Sequence, residues 1–177
     1  MCQELSGQTE RVHMNPLEIP YDTKASRVRY ALRAWLIAVI PSLLYFFALV
    51  SIGIDSLRPP AWAFDITYAA YSILAGPLLE TALMFPLATL LTLIITRKER
   101  MRVVLLATIC ALAHKIGGGW QQVIASFWPF LIYSVTLTAW LKRSNSAAFA
   151  LTALVHALYN ATFFGAGAIG AFLAVPR

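Results

Sequence analysis

Four polar side chains stand out from the apolar sequence around them: Glu80, His114, His156 and Asn160. Their types suit one kind of chemistry. A Glu carboxylate beside an imidazole can take a proton from water as a general base. A His and an Asn amide can donate hydrogen bonds to an oxyanion as it develops. Together they suit hydrolysis of an amide bond by an activated water, without a metal or cofactor and without a covalent intermediate. Glu80 is the only acidic residue in the apolar run from Ile66 to Ile95. A charge at the centre of a membrane span costs about 2.5–3.5 kcal/mol on insertion scales, so it is expected to meet a partner inside the protein.

Each residue alone has a plainer reading. His114 could be a packed, hydrogen-bonded histidine, Glu80 an ion or proton relay, and His156 with Asn160 polar glue between helices. Cys110 lies four residues before His114, but two ligands are too few for a metal site. Gly117-Gly118-Gly119 lacks the Lys-Ser/Thr of a phosphate loop, and no His-Glu-x-x-His is present. No Gly-x-Ser-x-Gly marks a serine nucleophile. What favours chemistry is the set of four.

Composition places these residues in a membrane protein. The chain has 177 residues, of which 59% are hydrophobic and 12% charged. Its mean hydropathy is +0.69. One domain is expected at this length. The net charge of +6 sits beside apolar runs, so it reads as a topology signal and not as a nucleic-acid surface. Cys2 and Cys110 lie far apart, which argues against a disulfide framework. Residues 1–25 hold no apolar signal core, so the first span is expected to act as an uncleaved anchor.

The elements follow from the runs. Residues 1–29 read as a polar cytoplasmic tail broken by Pro16 and Pro20, and 30–177 as a transmembrane helical domain carrying the site. The apolar runs are Ala34–Ile54, Ala61–Ile95, Val103–Ile116, Trp120–Leu141 and Ala147 to about Val175. The second should kink at Gly76-Pro77. The third is short, either a tilted span or a partly penetrating helix. The last should loosen at Gly165, Gly167 and Gly170. The fold class is therefore all-α, a polytopic membrane helix bundle of about five transmembrane helices. Basic clusters flank the start of run one and the ends of runs two and four, which puts the N-terminus inside. Trp35 and Trp140 then fall at the inner interface, and Trp62 and Trp120 at the outer one.

In this topology the four side chains share a depth. Measured from the inner ends of their runs, Glu80 lies about 22 Å in, His114 about 16 Å, His156 about 14 Å and Asn160 about 20 Å. His156 and Asn160, four residues apart, lie on one helix face.

The chain resembles the CPBP (CAAX protease and bacteriocin-processing, or Abi) family of glutamic-type intramembrane peptidases. The family's first motif, Glu-Glu-x-x-x-Arg after a Pro, has its counterpart in Pro77-Leu78-Leu79-Glu80-Thr81-Ala82-Leu83-Met84-Phe85. The second, an aromatic residue four positions before a His, has Cys110-Ala111-Leu112-Ala113-His114. The third, His-x-x-x-Asn/Asp, is matched by His156-Ala157-Leu158-Tyr159-Asn160. The likeness runs from about Ala75 to Phe164. It implies that Glu80 and His114 activate water while His156 and Asn160 hold the oxyanion, with a peptide or membrane-tethered protein as substrate. Thr81, Phe85 and Cys110 depart from the pattern. An inactive membrane immunity or assembly protein and a small proton-coupled transporter are the alternatives. The expected location is the bacterial inner (plasma) membrane.

Overall fold

The computed structural model describes residues 23–52, 65–95 and 98–173. Most of the expected tail, the loop Asp55–Pro60, Trp62 and Arg97 lie outside the described residues. Among the described residues there is no strand, and five helices follow one another: α1 (Arg27–Ser51), α2 (Ile66–Ile95), α3 (Glu99–Ala113), α4 (Lys115–Leu141) and α5 (Asn145–Leu173). The protein is an all-α membrane helix bundle, and four of the five helices are long and apolar enough to cross a membrane. The fifth, α3, has 15 residues and is about 22 Å long, short of a hydrocarbon core of about 30 Å.

Two polar contacts fix how the ends are arranged. Lys142 Nζ lies 2.6 Å from Glu99 Oε2, which brings the end of α4 to the start of α3. Arg102 Nη1 donates to Thr92 Oγ1 at 2.7 Å, which brings the start of α3 to the end of α2. These three helix ends therefore share one side of the membrane.

The core sits around α4. The most apolar stretch of α4 is 67% buried inside the bundle, against 17% for α2, so α4 is the central helix and α2 mostly faces outward. Ala31, Ala34 and Ala38 let α1 approach closely, as small residues do between membrane helices. Tyr30, Met84, Leu106, Phe130, Tyr133, Leu137 and Val155 fill the space between. Ser26 caps α1 by accepting from the Arg29 N–H. Asp65 caps α2 by accepting from the Thr67 and Tyr68 N–H groups. The Thr67 backbone bond in particular holds the Asp65 carboxyl below the usual carboxylate range.

A proline inside a helix leaves a carbonyl without its backbone donor, and at Pro41 a neighbouring helix supplies one. Pro41 has no N–H to give the Ile37 carbonyl one turn earlier. Trp128 Nε1 of α4 donates to that carbonyl at 2.9 Å. The expected kink at Gly76-Pro77 takes the form of a π-helical turn, Tyr71–Ala75, within an otherwise continuous α2.

Trp140, in the last turn of α4, is buried and meets the Tyr30 ring edge-on at 5.3 Å. One expectation needs correction. The last helix does not loosen at its glycines but runs on to Leu173, because in lipid a helix keeps its backbone bonds to itself. The expected turn before the fourth run is present: the backbone breaks from helical geometry at Gly119, at φ 67° and ψ −164°, and the membrane-spanning part of α4 runs from Gly119 to Leu141. This left-handed conformation favours glycine. Trp120 is exposed, with Lys115 Nζ 4.2 Å from its ring centroid.

Candidate active site

Glu80, His114 and His156 come from three helices and meet at one oxygen. Glu80 Oε2 lies 4.0 Å from His114 Nε2 and 3.7 Å from His156 Nε2. Both distances are too long for a direct hydrogen bond and suit one intervening water. The side chains of Glu80 and His114 are 36% and 30% exposed, that of His156 6%. The cluster is thus closed on the α5 side and partly exposed on the other, with the Glu80 Oε2 atom itself buried.

Local backbone structure aims each group. Glu80 projects from the buried stripe of α2 that carries Gly76, Pro77, Thr81 and Met84. His114 is the residue where α3 ends. The His114 N–H turns to the Ala111 and Leu112 carbonyls, so the Cys110 carbonyl loses the donor that a continuing helix would provide. His114 Nδ1 lies 2.9 Å from that oxygen. A carbonyl can only accept, so the contact assigns the ring proton to Nδ1. In the neutral ring, Nε2 then offers a lone pair towards Glu80.

His156 has the opposite polarity. Its Nδ1 is buried without a hydrogen-bond partner among the described residues, whereas its Nε2 faces the carboxylate. The proton therefore belongs on Nε2, where an acceptor lies ahead of it. Tyr133 stacks on the His156 ring at 4.3 Å with 25° between planes. Phe130 lies 5.0 Å from the His114 ring and 5.7 Å from the His156 ring, centroid to centroid. One imidazole is thus set to accept a proton and the other to donate a hydrogen bond.

Asn160 does not join the three. It lies one turn from His156 on α5, and its Nδ2 donates to the Ser72 carbonyl at 2.7 Å. The π-turn explains why that carbonyl is open. The Gly76 N–H goes to Tyr71 O. The next nitrogen, which would serve Ser72 in the π register, is that of Pro77 and carries no hydrogen. Asn160 fills the gap and ties α5 to α2 two turns before Glu80. A primary amide has two N–H donors, so one remains for another acceptor.

The departures from the family pattern have structural counterparts. Thr81, at the second Glu position, is fully buried, and its hydroxyl has no partner among the described residues. Phe85, at the Arg position, packs on Phe149 of α5, 5.9 Å between ring centroids. Where Cys110 lacks an aromatic ring, Phe130 of α4 brings one to His114. Phe130, Tyr133 and Ser72 join the site without belonging to any of the sequence motifs. The spacing of Phe130 and Tyr133 puts both on one face of a helix, a sign that was available.

Among the described residues, no group of three or more His, Cys, Asp or Glu is arranged to hold a metal ion. No protein-family model, curated protein or solved structure matches this chain.

Proposed function

We propose that the protein is an intramembrane peptidase of the CPBP type, in which Glu80 and His114 activate a water against a peptide bond. The observation that carries this reading is the convergence of two imidazoles of opposite hydrogen-bonding polarity on one carboxylate oxygen. A water at this point would give a proton to Glu80 or His114 as its oxygen attacks the carbonyl carbon. The C=O π electrons would move to the oxyanion, which His156 Nε2–H and the second Asn160 N–H would stabilise. Collapse would break the C–N bond, and the proton taken from water would pass to the leaving amine. The substrate class is a peptide or a membrane-tethered protein, reached from the partly exposed side of the cluster. The test is turnover of a peptide library by purified protein, with Glu80→Gln as the control.

A second reading has its own observation. Asn160 bonded to Ser72, with Thr81 and Phe85 in place of charged groups, also fits an inactive immunity or assembly protein. Under that reading no library peptide is cut.

The reaction we propose needs no metal. Activity should survive chelator treatment, and elemental analysis of active protein should find no stoichiometric metal. Loss with chelator and recovery with zinc would place the chemistry in another class.

The orientation proposed for the bacterial inner membrane puts the N-terminus and the ends shared by α2, α3 and α4 in the cytoplasm, since basic flanks resist translocation. In cysteine-substituted variants, a membrane-impermeant thiol reagent outside the cell should label positions in Asp55–Pro60 and spare position 98. The reverse pattern would invert the topology.

A further inference from the structure

A cavity of about 240 Å³ opens between the end of α2, the start of α3 and the end of α4, remote from Glu80 along α2. Thr89, Thr92, Arg102, Leu106, Thr138 and Lys142 line it. Two of these carry positive charge and three carry hydroxyls. Thr92 Oγ1 donates to Ala88 O at 2.8 Å and accepts from Arg102 Nη1, so it locks the guanidinium in place. Arg102 Nε is buried and has no hydrogen-bond partner among the described residues. Glu99 does not line the cavity, and its pairing with Lys142 leaves two of that ammonium's three N–H donors. Thr89 and Thr92 give their protons to the Phe85 and Ala88 carbonyls, so a held guanidinium beside a second cation carries the chemistry of a phosphate site, since Arg presents planar, paired donors to such an oxyanion.

We propose that this cavity binds a phosphate group, carried by an anionic lipid headgroup or free in solution. Its height favours the lipid. The basic cluster Lys98, Arg100, Arg102, Lys142 and Arg143 marks the membrane–water boundary on this side, where lipid phosphates lie, and basic pockets between membrane helices hold such headgroups. The apolar outer surface of α2, with Leu90, Leu93 and Ile94 exposed, offers acyl chains a place to run from the same point.

The test has two arms on the full chain. In the first, protein is released from nanodiscs of equal parts phosphatidylcholine and phosphatidylglycerol, and the retained lipid is weighed by native mass spectrometry. Wild type should retain phosphatidylglycerol in preference, Arg102→Gln should lower that preference about fivefold or more, and Arg102→Lys should restore part of it. In the second, inorganic phosphate is added to delipidated protein in a neutral detergent, and the melting temperature is followed. A rise in wild type that Arg102→Gln lacks, with no lipid preference in the first arm, assigns the site to soluble phosphate. A wild type that responds in neither arm overturns the proposal, whatever the variants do. So does an Arg102→Gln protein with wild-type melting that keeps both responses.

Discussion

Glu80→Gln should lower peptide-bond hydrolysis by about 10²–10⁴-fold or more, the range a positioned general base contributes, while the protein melts at or above the wild-type temperature. Gln has the shape of Glu but cannot take a proton from water. Its amide is also cheaper to bury than a carboxylate, so the fold should not suffer. His156 would lose an ionic partner and keep a carbonyl of the same reach. The comparison is turnover per folded molecule, with melting measured on the same samples. Thr81→Ala and Phe85→Ala should cost less in rate, since neither side chain can handle a proton. If Glu80→Gln retains wild-type turnover, or if every loss tracks unfolding, the cluster is structural.

Asn160→Ala should cost both stability and rate, and the two can be separated. Removing the amide leaves the Ser72 carbonyl without a donor, worth about 1–3 kcal/mol for a buried group, so the melting temperature should fall. If Asn160 also holds the oxyanion, turnover should fall about 10²–10³-fold, leaving a residue of activity that Glu80→Gln lacks. Pro77→Ala in the Asn160→Ala background returns a backbone N–H to the π-turn. The double variant should regain stability. Should it regain wild-type turnover as well, Asn160 only positions α5 and plays no part in the chemistry. Should stability stay low, the Ser72 carbonyl is not what Asn160 satisfies.

Much of this arrangement was legible in the chain itself. A carboxylate amid apolar residues is readable because its burial is costly, and Glu80 was marked on that ground alone. His156 and Asn160 were readable as one helix face because helical geometry is local. The membrane class followed from hydropathy. The partners of the site residues were not legible, because they are backbone carbonyls, which every residue has. Only local geometry decides that Cys110 and Ser72 offer theirs, through a helix end and a π-turn. Trp140 reads from sequence as an interface anchor, and its packing against Tyr30 is not readable there, since which side of a membrane helix is covered depends on helices elsewhere in the chain. Asn160 shows the limit most clearly. Its depth was estimated along the helix, yet its amide turns to the α2 backbone and not to the carboxylate.

The open carbonyls of Ile37 and Ser72 also bear on how the protein is made. Synthesis delivers α1 and α2 to the bilayer before α4 and α5 exist. During that interval each early helix holds an oxygen that its own backbone cannot satisfy and lipid cannot hydrate. The donors, Trp128 and Asn160, arrive later in the chain and find those oxygens by docking. Assembly is thus ordered by the ribosome: early helices wait in a state that favours capture of the late ones, and the bonds that relieve them set the register at which α5 meets α2.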